Sequence, residues 1–392
     1  MTRRLMVSIT ELLEYLRCRR AWNYQSANRM SLQQKGTPAK ELWMGSGFHA
    51  GFGGHIDGKD PFVEVETFLS ERRDEVAADY IRRIGTAMSD EEWTPFNNSV
   101  QIVRDVTRNY FAHYGMENTY HTNGMPFRAI GSEVTFMIPF PHLANEYYDE
   151  VYLVGTVDAL LVNDAVPGSL VVCDHKSFSQ KPYLKDLELD GQFVGYCACI
   201  SALVKRPVTG FLYNGINKKM PKVPQVLTGD GPNKGRLSRQ KIDTTYETLV
   251  NAIIANGEDP HDTYYTAWLA RQRLIDREAN PFFVRHYITM PQAALADWWA
   301  NTEKILAEIA QGPDLAITFN RQWQGCWDCW VRDLCDTQMR GGDLEAVIAG
   351  SYTLGKYGTQ RTLENTVSPV TVGGLDDLLH RVGNEPVMPA VA

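Results

Sequence analysis

The sequence predicts an α/β fold, with helices on both sides of a sheet-forming segment. Apolar and polar residues alternate over 127–138 (FRAIGSEVTFMI), which is the period of a half-buried strand. Two apolar, β-branched segments, 151–163 and 169–178, are separated by the turn residues DAVPG and therefore predict a hairpin. Helical periodicity before and after these strands completes the pattern of a layered α/β protein.

The segments before the first strand are predicted to form helices. The sequence SITE at 8–11 has the residues of a capping box, so MTRRLMVSITELLEYL predicts the start of an amphipathic helix and not a signal peptide. A second helix holds GSGFHAGF at 45–52, and the segments 62–84 and 97–114 have the same periodicity.

Helices and strands also alternate after the hairpin. The expected elements are a helix at 186–203, a strand at 208–217, helices at 244–256, 263–277 and 291–311, and a strand at 282–290. The stretch 218–243 is rich in Lys, Pro and Gly and lacks periodicity, so it predicts a long loop of the kind that is often functional. Beyond 358 the composition predicts a weakly ordered tail with one short amphipathic piece, LDDLLHRV (375–382).

These elements divide the 392 residues into five regions. They are an N-terminal helical region (1–125), a sheet-bearing core (126–217), a basic loop (218–243), a C-terminal helical region (244–357) and the tail (358–392). A chain of this length can hold two medium domains or one large elaborated domain.

The composition is that of an ordinary globular protein, with 44% hydrophobic and 22% charged residues. The sequence contains no run of 18 apolar residues, which predicts a cytoplasmic protein that does not act in a membrane. In that compartment cysteines are expected as ligands or buried thiols more than as disulfides.

The net charge of −8 argues against a protein that coats nucleic acid nonspecifically, but it allows a local basic channel. One basic segment contains Arg3, Arg4, Arg17, Arg19, Arg20, Arg29, Lys35 and Lys40. The other contains Lys218, Lys219, Lys222, Lys234, Arg236, Arg239 and Lys241. The plainer interpretation of each segment is a solvated surface.

The hairpin carries the most informative residues. Asp158 lies inside an apolar strand, where a carboxylate is costly to bury unless it is paired or bound to a cation. Asp174 and Lys176 end the partner strand, and because they are two residues apart their side chains share one face. Such a set can hold divalent cations and orient water for phosphodiester hydrolysis. The alternative is an Asp174–Lys176 surface salt bridge beside an unrelated Asp158.

Four further residues extend this candidate site, each with a plainer alternative. His49, in GSGFH, could be a metal ligand or a structural or exposed histidine. Glu133 could join the acidic cluster or face outward from its strand. Gln192 and Tyr196 are four apart on one face of the next helix, where they could contact the lysine or DNA, or Tyr196 could simply pack.

In their order along the chain, these residues resemble the motifs of the PD-(D/E)xK nuclease superfamily, in particular its RecB-like and Cas4-like branch. The matching motifs are G-x-x-x-H (Gly45 to His49), G-x-x-D (Gly155 to Asp158), D-x-K (Asp174 to Lys176) and Q-x-x-x-Y (Gln192 to Tyr196). The resemblance covers roughly 8–200 and the segment 326–335. The resemblance depends on the four motifs occurring in order, since each motif alone has little specificity for the superfamily.

The resemblance implies a restriction-endonuclease-like core, in which helices flank a mixed central sheet and further helices are added. It also implies a metal-dependent DNA nuclease. This nuclease would be an exonuclease rather than an endonuclease and would act on DNA ends or single strands, in recombination, repair or the processing of phage or CRISPR DNA. The implied ligands for Mg²⁺ or Mn²⁺ are His49, Asp158 and Asp174. The implied catalytic centre comprises Asp158, Asp174, Lys176, Glu133, Gln192 and Tyr196.

DNA is the implied partner, with the basic loop and the N-terminal arginines along its phosphates. No Walker A motif (GxxxxGK[ST]) occurs, so a helicase or recombinase would be a separate protein. Related exonucleases form rings, and the resemblance therefore leaves a homo-oligomer open.

Three of the seven cysteines lie in CWDCWVRDLC (326–335), one fewer than a four-ligand metal site needs. One upstream cysteine with a distant C-x2-C-x5-C is the arrangement that iron–sulfur members of the resembled branch use for a [4Fe–4S] cluster. The resemblance thus implies a structural cluster on Cys18, Cys326, Cys329 and Cys335, which would staple the N- and C-terminal segments together. Those members usually have Pro directly after the first cysteine, where this chain has Arg19.

Other interpretations of the cysteines remain at this point. The same four thiolates suit zinc, and three buried thiols beside tryptophans need no metal. Cys173, Cys197 and Cys199 are expected to be core thiols. The rival function is a noncatalytic, zinc-stapled nucleic-acid-binding or assembly protein, in which Asp158 and Lys176 form only a structural pair.

Overall fold

The computed structural model describes residues 3–35, 40–122, 124–166, 168–320, 323–327 and 329–354. The predicted tail at 358–392, with its amphipathic piece at 375–382, lies outside the described residues.

The helices that the described residues form alternate with strands along the chain. They are α1 (Ile9–Arg17), α2 (Arg19–Gln25), α3 (Lys40–Ile56), α4 (Pro61–Ile84), α5 (Asp90–Tyr114), α6 (Gly191–Val204), α7 (Tyr246–Ala255), α8 (Thr263–Ala279), α9 (Gln292–Ile309), α10 (Trp323–Trp327), α11 (Arg332–Met339) and α12 (Leu344–Ser351). Short 3₁₀ turns cover Pro141–Leu143, Leu184–Leu189 and Gly312–Asp314. None of the described helices combines the length and the apolar character that a bilayer crossing requires.

The strands build one large sheet and one small one. They are β1 (Arg4–Ser8), β2 (Leu32–Gln34), β3 (Thr119–Thr122), β4 (Met125–Pro139), β5 (Glu150–Val162), β6 (Val171–Phe178), β7 (Gly210–Asn217), β8 (Phe283–Thr289) and β9 (Tyr352–Leu354). The large sheet has the order β3-β4-β5-β6-β7-β8, with β1 beside β5. β1 runs parallel to β5 and β6 parallel to β7, whereas the other neighbours are antiparallel, so the sheet is mixed as predicted.

Helices cover both faces of the large sheet. On one face α1, α6 and α9 pack against the strands around a core that includes Leu12, Phe193, Phe211 and Leu306. On the other face α3, α4 and α5 enclose a second core, and Ile56 of α3 packs on the sheet residues Ala159, Cys173 and Leu212. The predicted α/β architecture with flanking helices is therefore confirmed.

One part of the N-terminal prediction is wrong. The expected helix does not extend through the start of MTRRLMVSITELLEYL, because residues 4–8 form the parallel strand β1. Leu5 and Val7 are fully buried there, so a short alternation of two apolar residues outweighs the helical pattern that follows. The helix begins at Ile9, and the Ser8 hydroxyl oxygen accepts a hydrogen bond of 3.1 Å from the backbone N–H of Glu11, as the capping-box sequence predicts.

The remaining predicted strands occur close to their expected bounds. β4 to β8 correspond to the predicted strands, and the hairpin pairs Ala159 with Cys173. The sheet also includes β1, β3 and β8, which lie outside the predicted core at 126–217. The stretch 218–243 contains no helix or strand, only one isolated bridge between Val226 and Leu237.

Gly155, the glycine of the G-x-x-D motif, is required by packing. A Cβ at this position would lie 2.5 Å from the ring of Phe136, which pairs with it across β4 and β5. We expect Gly155→Ala to lower the free energy of unfolding by about 1–3 kcal/mol, the usual cost of overpacking a core. Urea unfolding would measure it. Gly229→Ala, in open space in the basic loop, is the matched control, and equal stability of the two variants would contradict the expectation.

The N- and C-terminal segments of the described chain pack together. β2 pairs antiparallel with β9, and the hydroxyl of Tyr24 donates a hydrogen bond of 3.1 Å to Gln338. Their shared core contains Ala21, Tyr24, Leu32, Val331, Leu334 and Tyr352. Protein contacts alone therefore bring α2 next to α11 and α12.

Candidate active site

The centre of the large sheet contains a gap in its strand pairing. Along one edge of β5, residues 150–154 pair with β1 and residues 159–161 pair with β6. Within the described residues, 155–158 have no partner strand on that edge. Asp158 closes part of the gap, because its Oδ2 accepts a hydrogen bond of 2.5 Å from the backbone N–H of His175 on β6. A buried carboxylate thus lies where β5 and β6 separate.

Glu133 lies opposite Asp158 on the neighbouring strand. The register on its two sides is Ser132 with Ala159 and Val134 with Val157. Glu133 has a φ of 46°, in the left-handed region that residues other than glycine rarely adopt, at a cost of about 1–2 kcal/mol. Backbone strain of this kind clusters at functional sites.

Helix α3 brings His49 to the same gap. Gly45, one turn earlier, allows the helix to approach β6, since a Cβ there would lie 3.1 Å from the Ser177 hydroxyl oxygen. His49 Nδ1 is 3.3 Å from Asp158 Oδ1. Among the described residues, ligand atoms of His49, Glu133 and Asp158 all lie within 4.8 Å of one another, as a site for a single cation requires.

Asp174 and Lys176 face the same cleft from β6. Lys176 Nζ is 2.7 Å from Asp174 Oδ2, so the alternation of the strand places the two side chains together as predicted. Lys176 also donates a hydrogen bond of 3.2 Å to Gln192 Oε1. Gln192 in turn donates from Nε2 to the hydroxyl of Tyr196 at 2.9 Å. The pair on α6 therefore contacts the lysine, one of the alternatives that the sequence leaves open.

The charges of this site perturb one another strongly. Burial opposes ionisation of Asp158, but the charges of His49 and Lys176 hold its pKa below the ordinary value. Burial raises the pKa of Asp174 to about 6, against the effect of Lys176. Loss of hydration, together with the charge of Asp158, raises the pKa of Glu133 to about 7 although the residue as a whole is exposed. Burial acts to lower the pKa of His49, yet the carboxylates raise it to about 9.

The donor set fits a hard divalent cation. Carboxylate oxygens are the ligands that Mg²⁺ and Mn²⁺ prefer, and imidazole is compatible with Mn²⁺. Glu133, Asp158 and Asp174 place three carboxylates in one cleft, where burial and, after it, the charge of Asp158 raise the pKa values of Glu133 and Asp174. Asp174 Oδ2 is moreover buried without a well-directed hydrogen bond, although Lys176 lies close to it. A cation would supply the missing positive charge.

A comparison with protein-family models supplies the deciding observation, since the model of the PD-(D/E)XK nuclease superfamily matches residues 6–336. The chain belongs to the PD-(D/E)XK nuclease superfamily. The mixed sheet flanked by helices fits the fold of this superfamily, and membership indicates a nuclease that uses divalent metal ions, with DNA as its substrate class. A comparison with curated proteins gives no match.

The compact group of ligand atoms differs in one respect from the predicted ligand set. His49 and Asp158 are expected ligands, and both belong to the compact group of ligand atoms. The third member of that group is Glu133, which the sequence suggested only as an extension of the acidic cluster. Asp174, the third predicted ligand, is instead paired with Lys176 in the structure.

The structure also brings the four candidate cluster cysteines together. Cys18 lies at the junction of α1 and α2, and with Cys326, Cys329 and Cys335 it lines one cavity of about 520 Å³. Arg17, Arg20 and Arg332 line the same cavity and would offset thiolate charge. All seven cysteines lie in described residues, and none of them forms a disulfide.

The remaining cysteines are buried elsewhere. Cys173 packs in the core beneath α3, on the face of β6 opposite Asp174, as alternation predicts. Cys197 and Cys199 lie on α6 and are fully buried in the core of the other face. Their expected role as core thiols is confirmed.

Much of the predicted basic charge is already paired within the protein. The ion pairs of the N-terminal segment are Arg3–Asp149, Arg4–Glu150, Arg17–Glu14 and Arg19–Glu308. In the basic loop, Arg236 pairs with Asp262 and Arg239 stacks on Tyr264, which ties the loop to α8. Lys219, Lys222 and Lys241 are exposed and form no ion pair with another described residue.

A row of polar residues that the sequence patterns did not predict lies beside the site on β6, β7 and β8. His175, Asn214 and Arg285 occupy paired positions on β6, β7 and β8. Asn214 and His175 are almost fully buried, at 1% and 2% exposure. The sequence does contain an indication of this row, since Asn214 and Arg285 lie inside the apolar segments GFLYNGIN and FVRHYIT. Polar groups buried in such strands require hydrogen-bond partners.

Proposed function

We propose that the protein is a Mg²⁺- or Mn²⁺-dependent DNA nuclease of the RecB-like and Cas4-like branch, acting as an exonuclease on DNA ends or single strands. The observation that supports this most is one cleft containing the His49, Glu133 and Asp158 ligand atoms beside the Asp174–Lys176 pair. The choice of branch and of exonuclease action depends on the order of the four motifs and the cysteine arrangement. Recombination, repair or phage DNA processing is the context in which that branch works.

The residues of the cleft would have separate roles in phosphodiester hydrolysis. A divalent cation held by His49, Asp158 and either Glu133 or Asp174 would polarise the phosphoryl oxygen and lower the pKa of a water. Lys176 keeps its positive charge, because Asp174 raises its pKa against the effect of burial. Its ammonium group would orient the attacking water and stabilise charge that develops on the phosphate.

Gln192 and Tyr196 would orient Lys176. The Gln192 amide accepts a hydrogen bond from the ammonium group and donates one to the Tyr196 hydroxyl, so the amide orientation is determined from both ends. Asp190 caps α6 by accepting the backbone N–H of Gln192 at 2.8 Å, which fixes the start of the helix beside the cleft. A lysine held in this way loses little freedom when substrate binds.

We further propose that Cys18, Cys326, Cys329 and Cys335 hold a structural [4Fe–4S] cluster. Four thiols around one 520 Å³ cavity fit the donor set of such a cluster. The same four thiolates would also suit zinc. The preference for the cluster depends on the arrangement of one distant cysteine with C-x2-C-x5-C, which resembles that of the iron–sulfur members of this branch.

A nuclease assay tests the main proposal. Linear DNA labelled at either the 5′ or the 3′ end, in single- and double-stranded form, is expected to release mononucleotides or short fragments with Mg²⁺ or Mn²⁺ and none with EDTA. Closed circular DNA of the same sequence should resist digestion by an exonuclease. Failure to degrade any of these substrates with either metal would favour the rival, a noncatalytic nucleic-acid-binding or assembly protein.

A further inference from the structure

A continuous row of hydrogen bonds runs across neighbouring strands, from β8 through β7 and β6 to the proposed metal ligand Asp158 on β5. Arg285 on β8 donates from Nε to Asn214 Oδ1 at 3.4 Å, and Tyr110 on α5 donates its hydroxyl to the same oxygen at 3.0 Å. Arg285 Nη2 also donates to the Tyr110 hydroxyl oxygen at 2.8 Å. The Asn214 amide nitrogen lies 2.8 Å from His175 Nδ1, and the backbone N–H of His175 binds Asp158.

The direction of these hydrogen bonds determines which ring nitrogen of His175 carries the proton. Because the Asn214 oxygen accepts two hydrogen bonds, its amide nitrogen is the donor toward His175 Nδ1. His175 Nδ1 is then an acceptor, and its proton is on Nε2, which is buried without a hydrogen-bond partner. Burial lowers the pKa of this ring to about 3, in agreement with a neutral imidazole.

Arg285 anchors the far end of the row. Its guanidinium group lies 3.6 Å from the ring centroid of Tyr114 and 4.6 Å from that of Tyr120, so aromatic faces compensate its charge. No described carboxylate forms an ion pair with it. The arginine is thereby available to hold Tyr110 and Asn214 in one arrangement.

These contacts matter because the backbone N–H of His175 binds the Asp158 carboxylate at the point where the pairing between β5 and β6 ends. β5 and β6 pair only over 159–161, and at the end of this pairing the hydrogen bond from the His175 N–H holds the Asp158 carboxylate against β6. The ring of His175 faces the opposite side of β6 from Asp174, where Asn214 and the ring of Phe52 hold it. A displacement of the His175 ring would move the N–H that orients the Asp158 carboxylate.

We propose that Asn214 and Arg285 are positioning residues for Asp158, acting through His175 and without contact to metal or DNA. The inference rests on the proposed function, since it assumes that Asp158 binds the catalytic cation. Partners of metal ligands commonly change metal affinity or activity by about 10- to 100-fold when removed. The row of hydrogen bonds assigns this positioning role to Asn214 on β7 and Arg285 on β8.

Mn²⁺ binding to the whole protein, followed by electron paramagnetic resonance in the absence of DNA, provides the test. Asn214→Leu and His175→Phe are each expected to weaken Mn²⁺ binding about tenfold and to lower kcat with little change in KM for DNA. His175→Asn, which offers an amide oxygen near the Nδ1 position, should restore most of the affinity. Tyr114→Phe is the control, because its ring stays over Arg285 and its hydroxyl takes no part in the row.

The double variant decides between positioning and general disturbance. If Asn214 acts through His175, Asn214→Leu in the His175→Phe background should weaken Mn²⁺ binding no further. Additive losses, or single variants that bind Mn²⁺ like the wild type, would overturn the inference. Arg285→Gln gives a second variant, with a smaller loss expected, should Asn214→Leu fail to fold. A wild-type protein that binds no Mn²⁺ and degrades no DNA would overturn the proposed function as well.

Discussion

The Lys176→Met variant is expected to degrade linear DNA about 10²- to 10³-fold more slowly than the wild type, because it lacks the ammonium group that Lys176 places beside Asp174 in the cleft. Methionine is similar in length to lysine and fills the same space without the charge. The Lys176 side chain is 35% exposed, so an apolar replacement there need not disrupt a sealed core. Initial rates of nucleotide release at saturating Mn²⁺ would measure the effect.

Two matched variants make that result specific. Lys304→Met changes an exposed lysine on α9, away from the cleft, and should leave the rate unchanged. Asp158→Asn should lose both activity and Mn²⁺ binding, whereas Lys176→Met should lose activity and keep binding, since lysine is not a metal ligand. A Lys176→Met protein that retains wild-type rates would contradict the assignment of this residue to the catalytic centre.

The features predictable from sequence are those that depend on short-range patterns. Strand alternation alone places Asp174 and Lys176 on one face, and the structure joins them at 2.7 Å. The spacing of Gln192 and Tyr196 likewise predicts one helix face, which contacts Lys176. Such local geometry follows from the periods of strands and helices and needs no knowledge of tertiary contacts.

The gap that forms the site depends on contacts between distant segments and was not predictable in this way. It exists because β1, from the N-terminal segment, takes the place beside β5 that β6 leaves free. Val157 and Ala159 also pack into cores on opposite faces although they are two residues apart, so alternation breaks at Asp158. The left-handed backbone of Glu133 lies directly across from that break. No propensity of a glutamate predicts this conformation.

The separate locations of the two proposed metal centres have a mechanical consequence. The cleft is built on β4, β5 and β6, while the cysteine cavity is bounded by α1, α2, α10 and α11. They are connected through β1 and α1, since β1 borders the gap and α1 ends at Cys18. Loosening the cysteine site would therefore free the segment that holds β1 in the sheet, and activity would fall along with stability.

The Cys18→Ser variant is accordingly expected to lose its cluster and to unfold at a temperature about 7 °C lower than the wild type. A cross-link that closes a loop of roughly 300 residues removes chain entropy worth about 6 kcal/mol from the unfolded state, and in a chain of this size 1 kcal/mol shifts the melting temperature by about 1.2 °C. The packing of β2 on β9 and the shared core around Val331 should keep the variant folded at lower temperature.

Elemental analysis and calorimetry on the same samples would check this. The wild type should contain iron and acid-labile sulfide in equal amounts and absorb visible light, and Cys18→Ser should have lost both signals. Cys199→Ala is the matched control: its thiol is buried on α6 away from the cavity, so it should lose some stability from core packing but keep its iron. One equivalent of zinc in the wild type would contradict the iron–sulfur assignment, and an unchanged melting temperature in Cys18→Ser would contradict a structural role. Because the catalytic cleft contains none of these cysteines, residual activity of the cluster-free protein below its melting temperature would show that the cluster supports the fold and not the chemistry.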